Sequence, residues 1–346
     1  MRLVAYVERG QQVIGGLLGD GERTRVVNLQ AAYAGRLFRV ETDPMAWPVA
    51  AVRIPQDMVR FIEGGEEAWD AARRGLEWAE KGLENGDFEA PLLSSVKLKA
   101  PLRPKIIICG GANFDDHLDE TRRQKPDHVE FFLKAAHTVV GPGETVGADE
   151  RLSRKYDYEV ELGIVIGKAG KRIPRDRIYD YIFGYTIFND ISARDRQIIP
   201  WGGKNPFVET ETGKGGFQTR FGEGKNYDSG GPVGPWIVSK DEIPDPSNLA
   251  LKTTVSGELR QNNNTRNLLW NVPELVAYYS TFLTLQPGML IASGTPGGPA
   301  LGSDTELGAD PYERKDGVLR GRYLQAGDII RCEVEKIGVL ENPVGH

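Results

Sequence analysis

Two glutamates, Glu159 and Glu161, stand two residues apart in the run Tyr156-Asp157-Tyr158-Glu159-Val160-Glu161-Leu162-Gly163-Ile164-Val165-Ile166-Gly167. At strand spacing they share one face, about 7 Å apart, and Val160, Leu162, Ile164 and Ile166 form an unbroken apolar face opposite. Like charges that close, on a strand otherwise built of core residue types, repel each other and lose water together. A divalent cation removes both penalties. A solvent-exposed acidic strand face is the alternative. Asp190 adds a third carboxylate, at the end of the apolar run Tyr181 to Phe188 that closes in Asn189-Asp190. Carboxylates without histidine or cysteine in the set suit a hard, oxygen-seeking ion. Mg²⁺ or Mn²⁺ is expected, with positions open to water and a chelating substrate, and Ca²⁺ takes the same donors. Asp190 also fits as the N-cap of a helix over Ile191 to Gln197.

A second group lies in Asn113-Phe114-Asp115-Asp116-His117-Leu118-Asp119-Glu120. His117 and Glu120 are three apart, so on a helix they share a face. A histidine beside a carboxylate is a general base near neutral pH, able to activate water. The same residues also fit an exposed acidic helix start, with Asp115 and Asp116 favoured by the helix dipole and His117 incidental.

The elements that must position these groups are short and mostly extended. The 42 glycines and 21 prolines punctuate many brief apolar runs, which predicts a β-rich fold with many turns and no helical bundle. Strands are expected over Arg2 to Glu8, Gln12 to Leu18 and Thr24 to Leu29. Residues 55–85 have helical spacing, broken at Gly64-Gly65 and ended by Asn85-Gly86. Residues 90–104 read as a linker. A small N-terminal unit over 1–100 and a main, chemistry-bearing unit over 101–346 are therefore expected. In the latter, strands are expected over Lys105 to Cys109, Asp157 to Gly167, Tyr181 to Asp190, Gly234 to Ser239, Leu249 to Ser256 and Asp328 to Ile337. Val272 to Leu283 reads as a helix, and Met289 to Ser293 runs into the loop Gly294-Thr295-Pro296-Gly297-Gly298. No Gly-Lys-Ser/Thr follows that loop, so it is not a phosphate loop.

With 346 residues the chain can bury a large core without disulfides or a structural metal. Its net charge of -6 supplies no basic surplus for nucleic acid. No apolar run approaches the ~18 residues of a membrane helix, and charges interrupt the first residues, unlike a signal peptide. Cys109 and Cys332 are the only cysteines, which spells neither a disulfide framework nor a zinc site. A cytoplasmic location is expected, with neither nucleic-acid nor membrane partners.

Several motifs, in order, resemble the fumarylacetoacetate hydrolase family. They are Gly110-x-x-Asn113-Phe114-x-x-His117-x-x-Glu120, Phe132-Leu133-Lys134, Glu159-x-Glu161, Asn189-Asp190-Ile191-Ser192-Ala193-Arg194-Asp195-x-Gln197, Gly234-Pro235-Trp236-Ile237-Val238, Gly257-Glu258-x-Arg260-Gln261 and Ser293-Gly294-Thr295-Pro296-Gly297-Gly298. The resemblance implies an α+β fold: a β-rich mixed-sheet roll with a small N-terminal α+β domain, forming homodimers. It implies a Mg²⁺- or Mn²⁺-dependent enzyme acting on a small 2-oxo acid. Glu159, Glu161 and Asp190 match the metal ligands, and His117 with Glu120 the water-activating dyad. Lys214, in Gly213-Lys214-Gly215-Gly216-Phe217, matches the site lysine. Arg194, Gln197, Thr295 and, more weakly, Lys134 match substrate-contacting residues. Hydrolysis of a C–C bond in an acylpyruvate or similar 2,4-dioxo acid is the expected reaction, with decarboxylation or isomerisation of a related 2-oxo dicarboxylic acid as the alternative. An inactive ligand-binding relative is the remote one, disfavoured by the intact carboxylates and His117. The chain departs from the family pattern at Phe114, in place of tyrosine, and at Ala135, in place of proline. It also has a longer Trp201 to Thr212 and a polar, Gly-rich Pro299 to Gln325. That last segment is expected to be a lid or a dimer contact, or a plain surface excursion.

Overall fold

Strand Val160–Ile166 is buried at every position and lies inside the largest sheet of a computed structural model that describes residues 1–121, 123–200, 217–307 and 321–346. It pairs antiparallel with Ile182–Asn189 on one side and Leu290–Ala292 on the other. Leu290–Ala292 continues in parallel with Ile107–Gly110, and Phe131–Lys134 closes that edge. A strand covered on both faces must be apolar on both, which is why the sequence here is a nearly continuous hydrophobic run.

On the other flank, Ile182–Asn189 pairs with Gly231–Ser239, and Gly231–Ser239 pairs antiparallel with Arg2–Glu8. Gln11–Leu18 and Arg25–Asn28 follow in the same sheet. Residues 1–100 thus supply strands to one eleven-stranded sheet shared with the rest of the chain. Alternate residues of each strand face opposite ways. Val165, Phe188, Ile237 and Leu290 pack under helices Leu29–Val40, Ala46–Arg53, Met58–Glu63 and Gly65–Asn85. Ile164, Tyr185, Val238 and Ile291 face a five-stranded sheet and helix Val272–Phe282. The architecture is α+β.

The elements beyond those expected from sequence include two helices and two strands of note. Leu29–Val40 follows a strand without a break, its start set by the Asn28 side chain accepting from Ala31 N–H. Ala46–Arg53 is short and rich in alanine. Glu258–Asn264 ends in Gln-Asn-Asn-Asn, poor strand formers that are held by pairing with Ala250–Val255. Gly338–Gly345 contains a proline and is held by Ile329–Val334. Tertiary pairing overrides local preference in both strands.

Helices Leu29–Val40 and Gly65–Asn85 approach closely at Gly75, where a Cβ would sit 2.8 Å from the Tyr33 nitrogen and 3.0 Å from its Cα. Backbone cannot give way as a side chain can. Gly75→Val is expected to lower stability by about 1–3 kcal/mol through overpacking. The check is urea unfolding, with a lower midpoint at unchanged slope.

Candidate metal centre and proton-transfer site

The end of strand Val160–Ile166 and the end of Ile182–Asn189 meet because Val160 pairs with Asn189. That register brings Glu159, Glu161 and Asp190 together, with one carboxylate oxygen from each within 4.8 Å of the others. All three residues are buried, so the exposed-face alternative does not hold. Asp190 does not cap a helix either. The short helix after it is Arg194–Gln197, with Ala193 at its N-cap. The Asn189 side chain accepts from Glu159 N–H at 2.9 Å, and Asp190 N–H donates to the Glu159 carbonyl at 2.9 Å. Backbone and side chain together fix the two strand ends.

Three basic groups answer the acids. Lys225, from helix Phe221–Lys225, donates to Glu159 at 2.5 Å and Asp190 at 2.7 Å. Lys134 reaches Asp190 at 2.5 Å and the Ile191 carbonyl at 2.9 Å. Arg194 donates through Nε to Asp157 at 2.8 Å, through Nη1 to Gln197 Oε1 at 2.8 Å and through Nη2 to Glu159. Burial pushes the Glu159 carboxyl up, but Arg194 and Lys225 outweigh it and hold it below its ordinary range. Burial also disfavours the Lys225 ammonium, yet Asp190 and Glu159 raise it. Glu161 is left over. It accepts from Gly294 N–H at 2.7 Å and makes no ion pair among the described residues. Burial, then Asp190, then Glu159 push its carboxyl well above the ordinary range.

His117 and Glu120 lie on helix Asp115–Glu120, with Nδ1 2.7 Å from Glu120 Oε1. Glu120 is buried and its Oε2 accepts from Gly298 N–H at 2.8 Å. The exposed-surface alternative for this pair therefore fails. With Nδ1 bound to the carboxylate, the imidazole is oriented and Nε2 is the atom left to exchange protons. His117, the acidic cluster, Arg194, Gln197, Lys225 and Thr295 line one cavity of about 620 Å³. Phe131, Phe132, Phe221, Tyr278 and Phe282 form its apolar wall.

The expected substrate-contacting residues are each engaged by protein. Thr295 Oγ1 donates to the Val160 carbonyl at 3.1 Å and accepts from Gln261 at 2.8 Å. Lys134 supports Asp190 from outside the cavity lining. Gln197 accepts from Arg194 through its amide oxygen, which turns its NH₂ group to other partners. Lys214 lies outside the described residues, as do Trp201 to Thr212 and residues 308–320 of the Gly-rich segment. Sequence reasoning missed Lys225. The available signal was Gly222-Glu223-Gly224-Lys225: a Cβ on Gly224 would sit 2.4 Å from Gln197 Cβ, so this helix seats against the site only with glycine there.

The donor chemistry fits a divalent cation. The set is all carboxylate oxygen, and Glu161, bonded to no basic side chain among the described residues, is the carboxyl whose ionisation a cation would favour most. Glu159, Glu161 and Asp190 would hold the ion. A prediction follows for the metal-free protein. A carboxyl raised in the folded state favours folding below its ordinary value of 4.5, and that contribution is lost as pH rises through the folded value. Glu161→Gln removes the titration. Its melting temperature is expected to exceed that of stripped wild type by a margin that widens from pH 5 to pH 8, while its Mn²⁺ affinity drops at least ~100-fold. Calorimetry across pH and a Mn²⁺ titration check the two halves; a margin that narrows with pH contradicts the assignment.

Comparison with known proteins places the chain in a family. Residues 106–345 match the family described as Fumarylacetoacetate (FAA) hydrolase C-terminal. The oxaloacetate tautomerase YisK of Bacillus subtilis is 36% identical over 335 residues, covering 95% of each chain. The mitochondrial oxaloacetate tautomerase Fahd2a of Rattus norvegicus is 34% identical over 294 residues, 84% of this chain and 80% of its own. Among solved structures, the fumarylacetoacetate hydrolase of Exiguobacterium antarcticum superposes with a TM-score of 0.67 at 27% identity, over 100% of this chain and 99% of its own. Maleylpyruvate hydrolase of Sphingobium sp. SYK-6, in complex with manganese(II) and pyruvate, superposes with 0.64 at 26% identity and the same coverage. No helix among the described residues is long and apolar enough to cross a membrane. The matched region contains both the acidic cluster and the His117–Glu120 pair, and the chain belongs to the fumarylacetoacetate hydrolase family.

Proposed function

We propose that this enzyme interconverts the enol and keto forms of a small 2-oxo dicarboxylic acid, with oxaloacetate as the first substrate to try. The observation that carries this reading is that one proton-carrying pair, His117–Glu120, and the carboxylate cluster line the same cavity. Tautomerisation moves one proton and consumes nothing. The enol O–H bond breaks, a C–H bond forms at the neighbouring carbon, and no water or redox partner enters. A cation at Glu159, Glu161 and Asp190 would supply positive charge to the substrate's 2-oxo and carboxylate oxygens. His117 takes the hydroxyl proton on Nε2 and returns it to carbon. Glu120 keeps the ring oriented and stabilises its charged form. Lys225 and Gln197 line the cavity, and their ammonium and NH₂ groups would donate to oxygen that gains charge. Full-length similarity to an oxaloacetate tautomerase supports the same choice.

Hydrolysis of an acylpyruvate C–C bond is the second reading, favoured by the same dyad, which is able to deprotonate a water, and by likeness to a maleylpyruvate hydrolase. The homodimer implied by the family resemblance belongs to this proposal too.

The test is a turnover assay on chelator-stripped protein, with and without Mg²⁺ or Mn²⁺. Loss of enol absorbance from oxaloacetate is followed optically, and products by mass. Metal-dependent acceleration of enol loss with oxaloacetate retained is the expected result. Release of pyruvate with CO₂ would move the assignment to decarboxylation. Release of pyruvate and a second acid from acetylpyruvate or fumarylpyruvate, without enol catalysis, would move it to hydrolysis. His117→Ala is expected to lower turnover ~100-fold or more with Mn²⁺ affinity kept. Loss of Mn²⁺ binding in that variant would make His117 a ligand.

A further inference from the structure

Asp157 has no part in the chemistry described so far, yet it is the most heavily engaged carboxylate beside the site. It is wholly buried. Its Oδ1 accepts from Tyr158 N–H at 3.0 Å and Ala300 N–H at 2.6 Å. Its Oδ2 accepts from Leu301 N–H at 3.1 Å and Arg194 Nε at 2.8 Å. The Arg194 guanidinium is planar, so fixing Nε against Asp157 also fixes where Nη1 and Nη2 point. Those two nitrogens hold the Gln197 amide oxygen and the Glu159 carboxylate. The donors at 300 and 301 open the turn Ala300–Ser303, directly after the Gly/Pro loop. The same stretch supports the proton-transfer pair. Gly298 N–H donates to Glu120 at 2.8 Å, and a Cβ on Gly302 would meet Glu120 Cδ at 2.3 Å.

We propose that Asp157 is a positioning residue: it seats Arg194 on the 298–302 stretch and so sets Glu159 and Gln197 in register with the His117–Glu120 pair. It touches neither the cavity nor the ion that Glu159 would hold, and acts through Arg194. The inference rests on the reading of Glu159 as a cation ligand.

Asp157→Asn keeps size and removes charge, and its NH₂ group would face N–H donors on whichever side it is placed. In chelator-stripped, full-length protein, Mn²⁺ affinity is read by titration of the free-ion electron paramagnetic resonance signal, independently of activity. Asp157→Asn is expected to weaken Mn²⁺ binding and lower kcat by about 10- to 100-fold each, as supporting residues around metal ligands do. Arg194→Lys keeps charge but cannot serve three acceptors in one plane, and the same losses are expected. The double variant is expected to be no worse than the poorer single one, because both break one linkage. A purely structural role for Asp157 predicts multiplied losses. Multiplied losses overturn the proposal, as does folded Asp157→Asn with wild-type affinity and kcat. Should Asp157→Asn not fold, Arg194→Lys carries the test, and unchanged Mn²⁺ affinity in it overturns the proposal. Wild type that binds no Mn²⁺ overturns the cluster reading and this inference together; wild type that binds it beside unaffected variants overturns this inference alone.

Discussion

Buried negative charge is the constraint on which the rest of this structure depends. Asp157, Glu159, Glu161 and Asp190 are all removed from water, and Lys134, Lys225 and Arg194 are the basic groups bonded to them. In a low-dielectric interior an uncompensated carboxylate is among the most costly groups a protein holds. Glu161 is bonded to none of these bases among the described residues, and its carboxyl, pushed toward the protonated form, is the one that a cation would most help to ionise. The crowding that makes ionising Glu161 costly in the bare protein is what a bound cation would relieve.

Meeting that constraint needs rigid placement, and the sheet provides it. Strand ends are where side chains from separated segments converge on a framework of backbone hydrogen bonds. Here the 159–161 end, the 189–190 end and the 293–298 loop come from three strands that are neighbours in one sheet. Ser293 ties two of them, since its Oγ accepts from Leu162 N–H at 3.0 Å while its carbonyl accepts from Asn113 at 2.7 Å. Asn113 precedes the helix that carries His117. The dyad and the cluster are therefore connected through hydrogen bonds between side chain and main chain, in addition to the loop contacts at Gly298.

The parts of the site legible in sequence were those whose meaning is local. Glu159-x-Glu161 and His117-x-x-Glu120 reveal a shared face through spacing alone. The central strands were legible for a similar reason, as apolar runs closed by turn residues. Asp157 carries no local signature, and the only local sign of Lys225 is the glycine that precedes it. Each acquires its role from partners tens of residues away, and each resembles an ordinary loop or strand residue in the one-dimensional text. Strand Glu258–Asn264 was hidden in the same way, because its polar residues pair only in the presence of Ala250–Val255. Arg194 and Thr295 stood out by motif, but their many protein partners appear only in three dimensions.

The pairing of Arg2–Glu8 with Gly231–Ser239 has a consequence for how the chain reaches its native state. Met1 and Ser239 exchange a hydrogen bond across 238 residues of sequence. A contact of such high order closes a very long loop before it gains any stabilisation. During synthesis at 5–20 residues per second, the first strands wait about 10–50 s for their partner to leave the ribosome. Throughout that interval Arg2 and Leu3, whose partners at completion are Val238 and Ile237, present an open strand edge, while Ala5 and Tyr6 are paired sooner with Lys99 and Leu98. The helices over residues 29–85 follow early and pack on one face of this first hairpin, giving it cover on that side long before the chemistry-bearing half of the sheet exists.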